Sequence, residues 1–244
     1  MRLKIWVLAG AACLFAAGCD NGDRRNAGDS DSALVATGQG EDAANAAHSD
    51  QNADIDVWLQ TLEVNSRELY SARGAVVKAV ELDPGVRVAD VGAGTGLYTL
   101  LFAEAAGHQG VVYAVDIEPK FLDLINTRAT DLGLSNVVSV LGRSNSITLP
   151  DNSVDVVFIA DTYHYFEDRQ AIMKTILTAL KPGGFLYVVD FDLVEGKTRP
   201  AEQQHVRFGK PAVITEIEFF GFEYVGDVTP PGLEENYMIK FKRP

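Results

Sequence analysis

The chain has 244 residues, and 47% of them are hydrophobic, which is enough for one globular domain with a sizeable core and too little for two large domains. Lysine and arginine number 21 against 34 aspartates and glutamates, so the formal net charge is −13. Such a charge repels phosphate backbones, and no basic stripe with interleaved aromatic residues offsets it locally. Nucleic acid is therefore excluded as an expected partner.

The first 18 residues have the pattern of a secretory signal peptide. Arg2 and Lys4 precede an apolar run over 5–17 that is too short to span a bilayer comfortably. Small residues then lead to Cys19, which resembles the bacterial lipobox and implies that this cysteine is lipidated and becomes the mature N-terminus. We expect a lipid anchor at Cys19 and a location on the periplasmic side of a bacterial membrane. A plain signal peptide cut elsewhere is the alternative.

Residues 19–53 differ in composition from the rest of the chain. They are dominated by Asp, Asn, Gly, Ser, Gln and Ala, and they contain no aromatic residue. Such a segment buries too little apolar surface to fold, so it predicts a flexible acidic tether. Cys19 would be the only cysteine left after signal cleavage, which rules out an intramolecular disulfide in the mature chain. We place the globular domain at 54–244.

The domain begins with apolar residues at three- and four-residue steps between Trp58 and Val80. This spacing predicts one or two amphipathic helices, which end before the turn formed by Asp83, Pro84 and Gly85.

The central motif is VADVGAGTGLYT at 88–99, in which a predicted strand ends in Asp90 and a helical pattern follows a glycine-rich turn. The glycines are Gly92, Gly94 and Gly96. A strand turning into a helix in this way presents outward-facing helix amides to a nucleotide-type ligand. A dinucleotide fingerprint would need glycine or alanine at position 97, where Leu97 stands. The motif instead resembles motif I of the class I S-adenosylmethionine (SAM) dependent methyltransferases, with an ordinary glycine-rich turn as the alternative.

The next strand is predicted from a continuous apolar run over 111–115 that ends in Asp116. An acid about twenty residues beyond the last glycine stands where nucleotide-binding α/β folds bind the ribose hydroxyls. The family resemblance implies the same role for Asp116, and it implies that Ile117 packs on the adenine.

A third strand over 136–141 leads to a loop that resembles the methyltransferases in length and order but departs from them at Arg143. The family usually carries an acid there, which binds the adenine amino group, whereas arginine has only donors. We expect Arg143 to point away, with Ser144, Asn145 or a backbone carbonyl holding the adenine edge. Poor cofactor affinity is the alternative.

The loop 161–166 follows a predicted strand over 154–160, at the edge of the sheet where α/β folds place reacting groups. His164 has the chemistry to deprotonate an acceptor hydroxyl or amine, and we take Tyr163 as a second catalytic candidate. A packing or positioning role for His164 is the alternative.

The remaining pattern is a helix over 168–180, a strand over 185–190, a polar stretch over 196–209, a helix over 211–220 and two closing strands. The resemblance implies an α/β fold with a doubly wound, mostly parallel seven-stranded sheet. It implies the strand order 3-2-1-4-5-7-6, an antiparallel last strand, and helices on both faces.

We therefore predict a SAM-dependent methyltransferase that acts on a small-molecule acceptor and needs no metal. The resemblance implies that the segment before the glycine motif contacts substrate, with Arg67, Tyr70 and Arg73 as the candidates. A role as solvated or paired residues on the helix surface is the alternative. The cofactor-binding residues expected from the motif positions are Asp90, Gly92, Ala93, Gly94, Gly96, Asp116, Ile117, Ser144, Asn145 and Asp161. Two alternatives stay open: a non-catalytic SAM-binding module, favoured by Arg143 and the predicted location, and a nicotinamide or nucleotide-sugar enzyme, disfavoured by Leu97.

Overall fold

The computed structural model describes residues 55–193, 206 and 208–244. The predicted signal peptide, Cys19 and the predicted 19–53 tether therefore lie outside the described residues, as does most of the predicted polar stretch over 196–209. Among the helices that are described, none is long and apolar enough to cross a membrane.

Seven strands and seven helices make up the described domain, together with a short 3₁₀ turn at Tyr163–Tyr165. The strands are β1 (Arg87–Val91), β2 (Val111–Asp116), β3 (Val137–Leu141), β4 (Val154–Ala160), β5 (Leu180–Phe191), β6 (Glu223–Val228) and β7 (Asn236–Lys242). The helices are α1 (Ile55–Leu62), α2 (Glu68–Ser71), α3 (Arg73–Val80), α4 (Leu97–Ala106), α5 (Pro119–Asp131), α6 (Arg169–Ala179) and α7 (Lys210–Phe219).

The strands form one sheet in the order β3-β2-β1-β4-β5-β7-β6, which confirms the predicted order. β1 to β5 pair in parallel, and β7 runs antiparallel to both β5 and β6. The carboxyl ends of β1, β2 and β4 therefore lie side by side at one edge of the sheet, which is where open α/β sheets bind ligands.

The sheet is covered on both faces, as predicted. On one face α6 and α7 pack with residues such as Ile159, and on the other face α2, α3 and α4 pack with residues such as Phe158. Tyr98, Phe102 and Phe158 form a buried aromatic group on this second face, with ring centroids 4.8 and 4.9 Å from Phe158. Each such buried side chain stabilises the fold by about 1.5 to 3 kcal/mol, so this packing fixes the strand ends that carry the site.

Two boundaries differ from the sequence prediction. The segment before β1 forms three short helices rather than one or two, because the chain leaves the helical region at Arg67 and at Ala72. β5 begins at Leu180, five residues before the predicted start, because Leu180 is already extended and pairs with Val154. The register then shifts before Val156, which accommodates the Pro-Gly-Gly sequence within the strand.

Candidate active site

The glycine loop connects β1 to α4 through backbone conformations that favour glycine. Gly92, Gly94 and Gly96 have φ angles of 73°, 53° and 83°. A Cβ at Gly92 would lie 2.3 Å from the Thr162 side chain, and a Cβ at Gly96 would lie 2.6 Å from Ile125. A Cβ at Gly94 would meet no atom closer than 3.9 Å. The loop is therefore closely packed at both ends and open in the middle.

The amides of this loop are used within the protein. The N–H groups of Gly92 and Ala93 both donate to the Val115 carbonyl, at 2.8 and 3.1 Å. The Gly94 N–H donates to Asp116, and the Gly96 N–H donates to the Ala93 carbonyl. The loop is thus tied to β2, and contact between the first amides of α4 and a ligand stays a prediction.

Asp116 lies beside Gly94 with acceptor capacity left for a ligand. Its Oδ2 accepts the Gly94 N–H at 2.8 Å, and its Oδ1 accepts the Glu118 N–H at 2.9 Å. A carboxylate offers about four acceptor positions, so capacity for a ribose hydroxyl remains. Burial raises the pKa of Asp116, and the backbone hydrogen bonds from Glu118, Gly94 and Ile117 oppose that rise. The carboxyl group thus fits the predicted ribose role.

Two exposed apolar side chains stand next to Asp116. Ile117 is 46% exposed and Leu141 is 55% exposed. Leu141 pairs with Asp116 across the sheet, and the following Gly142 N–H donates to the Asp116 carbonyl at 2.9 Å. Ile117 and Leu141 therefore offer an apolar surface of the kind that a purine ring covers. Leu141 was not selected from the sequence.

The tight turn after β3 carries the residues expected at the adenine edge. The Arg143 N–H donates to the Ser146 carbonyl at 2.8 Å, and the Ser146 N–H donates back to Arg143 at 3.2 Å. Arg143 is exposed, so its guanidinium keeps its hydration. Ser144 is half-buried and Asn145 is exposed. Their contact with adenine stays a prediction.

Asp90 is buried at the end of β1 and supports α4. Its Oδ2 accepts the Thr99 hydroxyl at 2.6 Å. Burial raises the pKa of Asp90 to about 7, the Thr99 hydrogen bond opposes the rise, and the negative charge of Asp116 adds to it. The contact that the structure gives Asp90 is thus a structural one, and a direct contact with the cofactor stays a prediction.

Asp161 follows β4 and is engaged by two side chains. Arg67 Nη2 lies 2.6 Å from Oδ2, and Asn236 Nδ2 donates to Oδ1 at 2.8 Å. Asp161 has a φ of 46°, which is uncommon for a residue other than glycine. Burial raises the pKa of Asp161, and the positive charge of Arg67 opposes that rise. The next residue, Thr162, packs against Gly92, so the segment after β4 lies beside the glycine loop.

His164 forms a buried pair with Asp190 at the carboxyl end of β5. His164 Nδ1 lies 2.6 Å from Asp190 Oδ1, and the two side chains are 6% and 2% exposed. Asp190 also accepts the backbone N–H groups of His164 and Phe191, at 3.2 and 2.8 Å. In a neutral imidazole beside an ionised Asp190, Nδ1 carries the proton and Nε2 is the acceptor. Asp190 was not selected from the sequence, although it ends an apolar strand as Asp90 and Asp116 do.

Tyr163 bonds to α7 and also lines the cavity beside His164 and Asp190. It is 2% exposed, and its hydroxyl donates to Glu216 Oε2 at 2.8 Å. Burial raises the pKa of Tyr163, and Glu216 adds to the rise. The bond to Glu216 is a structural contact, and a catalytic role for Tyr163 stays a prediction.

Tyr70 and Arg73 lie together on α2 and α3. The Arg73 guanidinium stands 4.2 Å from the centre of the Tyr70 ring, and it donates to the Tyr70 carbonyl at 2.5 Å. Both residues are half-buried. Their contact with a substrate stays a prediction.

A cavity of about 10 Å³ adjoins His164 and Asp190, which is room for about one water molecule. The rest of the cavity wall includes Tyr237, Val206 and Phe208. In the described part of the chain, no group of three or more His, Cys, Asp or Glu side chains could hold a metal ion.

Comparison with known proteins identifies the segment that carries this site. Residues 89–188 match the family described as "Methyltransferase domain". The match runs from the end of β1 to β5 and so contains Asp116, Asp161 and His164.

The described domain is similar to solved structures of other proteins. A SAM-dependent methyltransferase from Aquifex aeolicus is 27% identical, with a TM-score of 0.67 over 76% of this chain and 97% of the other. The [4+2]-cyclase SpnF is 20% identical with a TM-score of 0.59, covering 72% of this chain and 81% of that one, and this likeness concerns the fold alone. The family match and the Aquifex structure indicate SAM as the cofactor.

Curated relatives include the ubiquinone/menaquinone biosynthesis C-methyltransferase UbiE of Shewanella oneidensis. The two sequences are 35% identical over 109 residues, which is 44% of this chain and 43% of that protein. The chain thus aligns with less than half the length of this relative.

Proposed function

We propose that this protein is a SAM-dependent methyltransferase that methylates a small-molecule acceptor. One observation carries the proposal: within the matched segment, Asp116 lies beside Gly94 with acceptor capacity left for a ligand, next to the exposed apolar side chains of Ile117 and Leu141. A carboxylate next to an apolar surface fits the ribose and the purine ring of an adenosyl ligand. SAM would supply an electrophilic methyl group, and the protein would mainly orient the acceptor for in-line attack and exclude water.

The residues best placed to handle the acceptor's proton are His164 and Asp190. In this proposal, Nε2 of His164 accepts the proton of an acceptor hydroxyl or amine while Asp190 holds Nδ1 and stabilises the imidazolium. Asp190 therefore acts as a positioning residue. The low exposure of His164 requires the wall formed by Val206 and Phe208 to open for the acceptor.

A small molecule with an apolar ring is the acceptor class that the surroundings favour. The Tyr165 ring lies 4.0 Å from the His164 ring and is 48% exposed, and Phe208 beside the cavity is 44% exposed. Exposed aromatic side chains next to a base suit a planar, partly apolar substrate. The name of the UbiE relative, a C-methyltransferase of quinone biosynthesis, points in the same direction.

Titration calorimetry with SAM, S-adenosylhomocysteine and NAD tests the proposed function. We expect both adenosyl ligands to bind and NAD not to bind, because the turn lacks the third glycine or alanine of a dinucleotide site. Tight NAD binding with no binding of SAM would contradict the proposal. Binding of SAM without methyl transfer to any phenol or quinol tested would favour the non-catalytic module.

We also propose that the protein is attached to a bacterial membrane through a lipid on Cys19, on the periplasmic side. The proposal is supported by the basic residues Arg2 and Lys4, the apolar run that follows them and the small residues before Cys19. Cys19→Ser is expected to release the protein from membranes or to leave the precursor uncut, as fractionation and mass spectrometry would show. Membrane-bound protein of mature size in this variant would contradict the anchor, and Cys13→Ser serves as the matched control.

A further inference from the structure

A second cavity lies at the edge of the sheet opposite to the candidate active site. It measures about 390 Å³, and its wall includes the end of α3, the start of β4 and Pro182, Gly183 and Gly184 of β5. Asp155 lines it, whereas Asp161 follows the other end of β4, about 20 Å further along the strand. Sites of about 300 to 1,000 Å³ bind small organic molecules, so the cavity has room for a ligand of its own.

Lys240 of β7 places a cation over the aromatic side of this cavity. Its Nζ lies 4.0 Å from the centre of the Phe185 ring and 5.2 Å from the centre of the Tyr187 ring. Tyr187 is buried, and its hydroxyl donates to the Val80 carbonyl at 3.2 Å, which fixes the position of its ring. Lys240 is half-buried, and no carboxylate or other hydrogen-bond acceptor of the described residues contacts its ammonium. The aromatic rings thus stabilise a charge that has lost part of its hydration and has room for an anionic partner.

The other charged groups of the cavity are paired or exposed. Lys181 Nζ lies 2.6 Å from Asp155 Oδ1, and Asp155 Oδ2 also accepts a backbone N–H from the start of β1 at 2.9 Å. Glu81 and Asp83 are exposed, so water and salt screen their charges. Of the two lysines that line the cavity, Lys240 is therefore the one whose charge is not matched by a carboxylate of the described residues.

We propose that this cavity binds a small organic anion with an apolar body, such as an aromatic carboxylate. The anionic group accepts a charge-assisted hydrogen bond from Lys240, which replaces the hydration that the half-buried ammonium has lost. The apolar body packs on Val80, Leu82 and Val86, which line the same cavity, whereas an inorganic anion would leave that apolar wall uncovered. The proposal concerns a second site and does not depend on the proposed methyl transfer.

The test compares cinnamate with cinnamamide, which has nearly the same shape and no charge. NMR titration of the wild-type protein should show cinnamate binding, with shifts of the backbone amides at Gly183, Phe185 and Lys240. Lys240→Gln should weaken cinnamate at least about tenfold, the scale of a hydrogen bond to a charged group, and cinnamamide by less than about twofold. Lys240→Arg, which keeps the charge, should retain most of the affinity for cinnamate. Leu82→Trp, which narrows the cavity, should weaken the binding of both probes.

The matched control is Lys242→Gln, which removes an exposed lysine of the same strand that does not line the cavity. It should leave the affinity for both probes unchanged, and thermal unfolding of every variant verifies folding. The inference is overturned if cinnamate does not bind the wild-type protein, if Lys240→Gln and Lys242→Gln weaken it equally, or if the amide shifts are confined to His164 and Asp190. Should Leu82→Trp not fold, the Lys240 variants decide the outcome. Binding of S-adenosylhomocysteine, which tests the proposed function separately, should be unchanged in Lys240→Gln because the two sites lie at opposite edges of the sheet.

Discussion

Replacing Asp116 with alanine is expected to weaken S-adenosylhomocysteine binding by at least about 1.5 kcal/mol, or more than tenfold. The carboxylate is the group we expect to accept the ribose hydroxyls, and no other carboxylate of the described residues bonds to the glycine loop amides. The same substitution leaves the Gly94 and Glu118 N–H groups without their acceptor, which adds to the loss. Titration calorimetry measures the effect directly.

A comparison of S-adenosylhomocysteine with its 2′-deoxy form separates the loss of the ribose contact from the loss of the two backbone hydrogen bonds. If Asp116 holds the ribose, the deoxy ligand binds more weakly than the parent to the wild-type protein and equally well to Asp116→Ala. Asp123→Ala, an exposed acid on α5, is the control and should change neither affinity. Unchanged affinity in Asp116→Ala would remove this residue from the site.

Replacing His164 with alanine is expected to lower kcat by about 10² to 10⁴, the usual contribution of a general base. Binding of SAM should stay within about twofold of wild type, because His164 is proposed to contact the acceptor rather than the cofactor. His164→Gln, which keeps a polar side chain without a base, should lower kcat to a similar extent. Radiolabelled methyl transfer to phenols and quinols provides the rates.

Asp190→Asn tests the positioning role within the same measurement. It should lower kcat and leave the KM for SAM unchanged, because an asparagine does not stabilise the positive charge that forms on the imidazole during the reaction. His108→Ala changes an exposed histidine after α4 and serves as the control for general effects. A His164→Ala variant with normal kcat and lower thermal stability would assign this histidine to packing.

The sheet could be predicted because its signals are local. Apolar runs ending in Asp90 and Asp116, with three glycines in between, define a strand, a tight turn, a helix and a second strand from consecutive residues. The family resemblance then supplied the strand order, which neighbouring residues alone do not specify.

The details of the site depended on contacts between distant residues, and these were harder to predict. Arg67 meets Asp161 from 94 positions away, and His164 meets Asp190 from 26 positions away. The carbonyl of Val115 accepts the N–H groups of Gly92 and Ala93, a pairing that the glycine spacing does not reveal. A glycine pattern indicates which backbone angles are accessible, but it carries no information about the acceptor that each N–H will find.

The attachment of the glycine loop to β2 determines how a ligand can enter and leave. The N–H groups of Gly92, Ala93 and Gly94 all bond to Val115 or Asp116, so the loop and the ribose-binding carboxylate move as one rigid body. Nothing on that side can swing open without breaking several backbone hydrogen bonds at once. The Leu62 side chain at the end of α1 lies 3.9 Å from where a Gly94 Cβ would be, and α1 has no buried residue, so a shift of this helix opens the middle of the loop more easily than a movement of the loop itself.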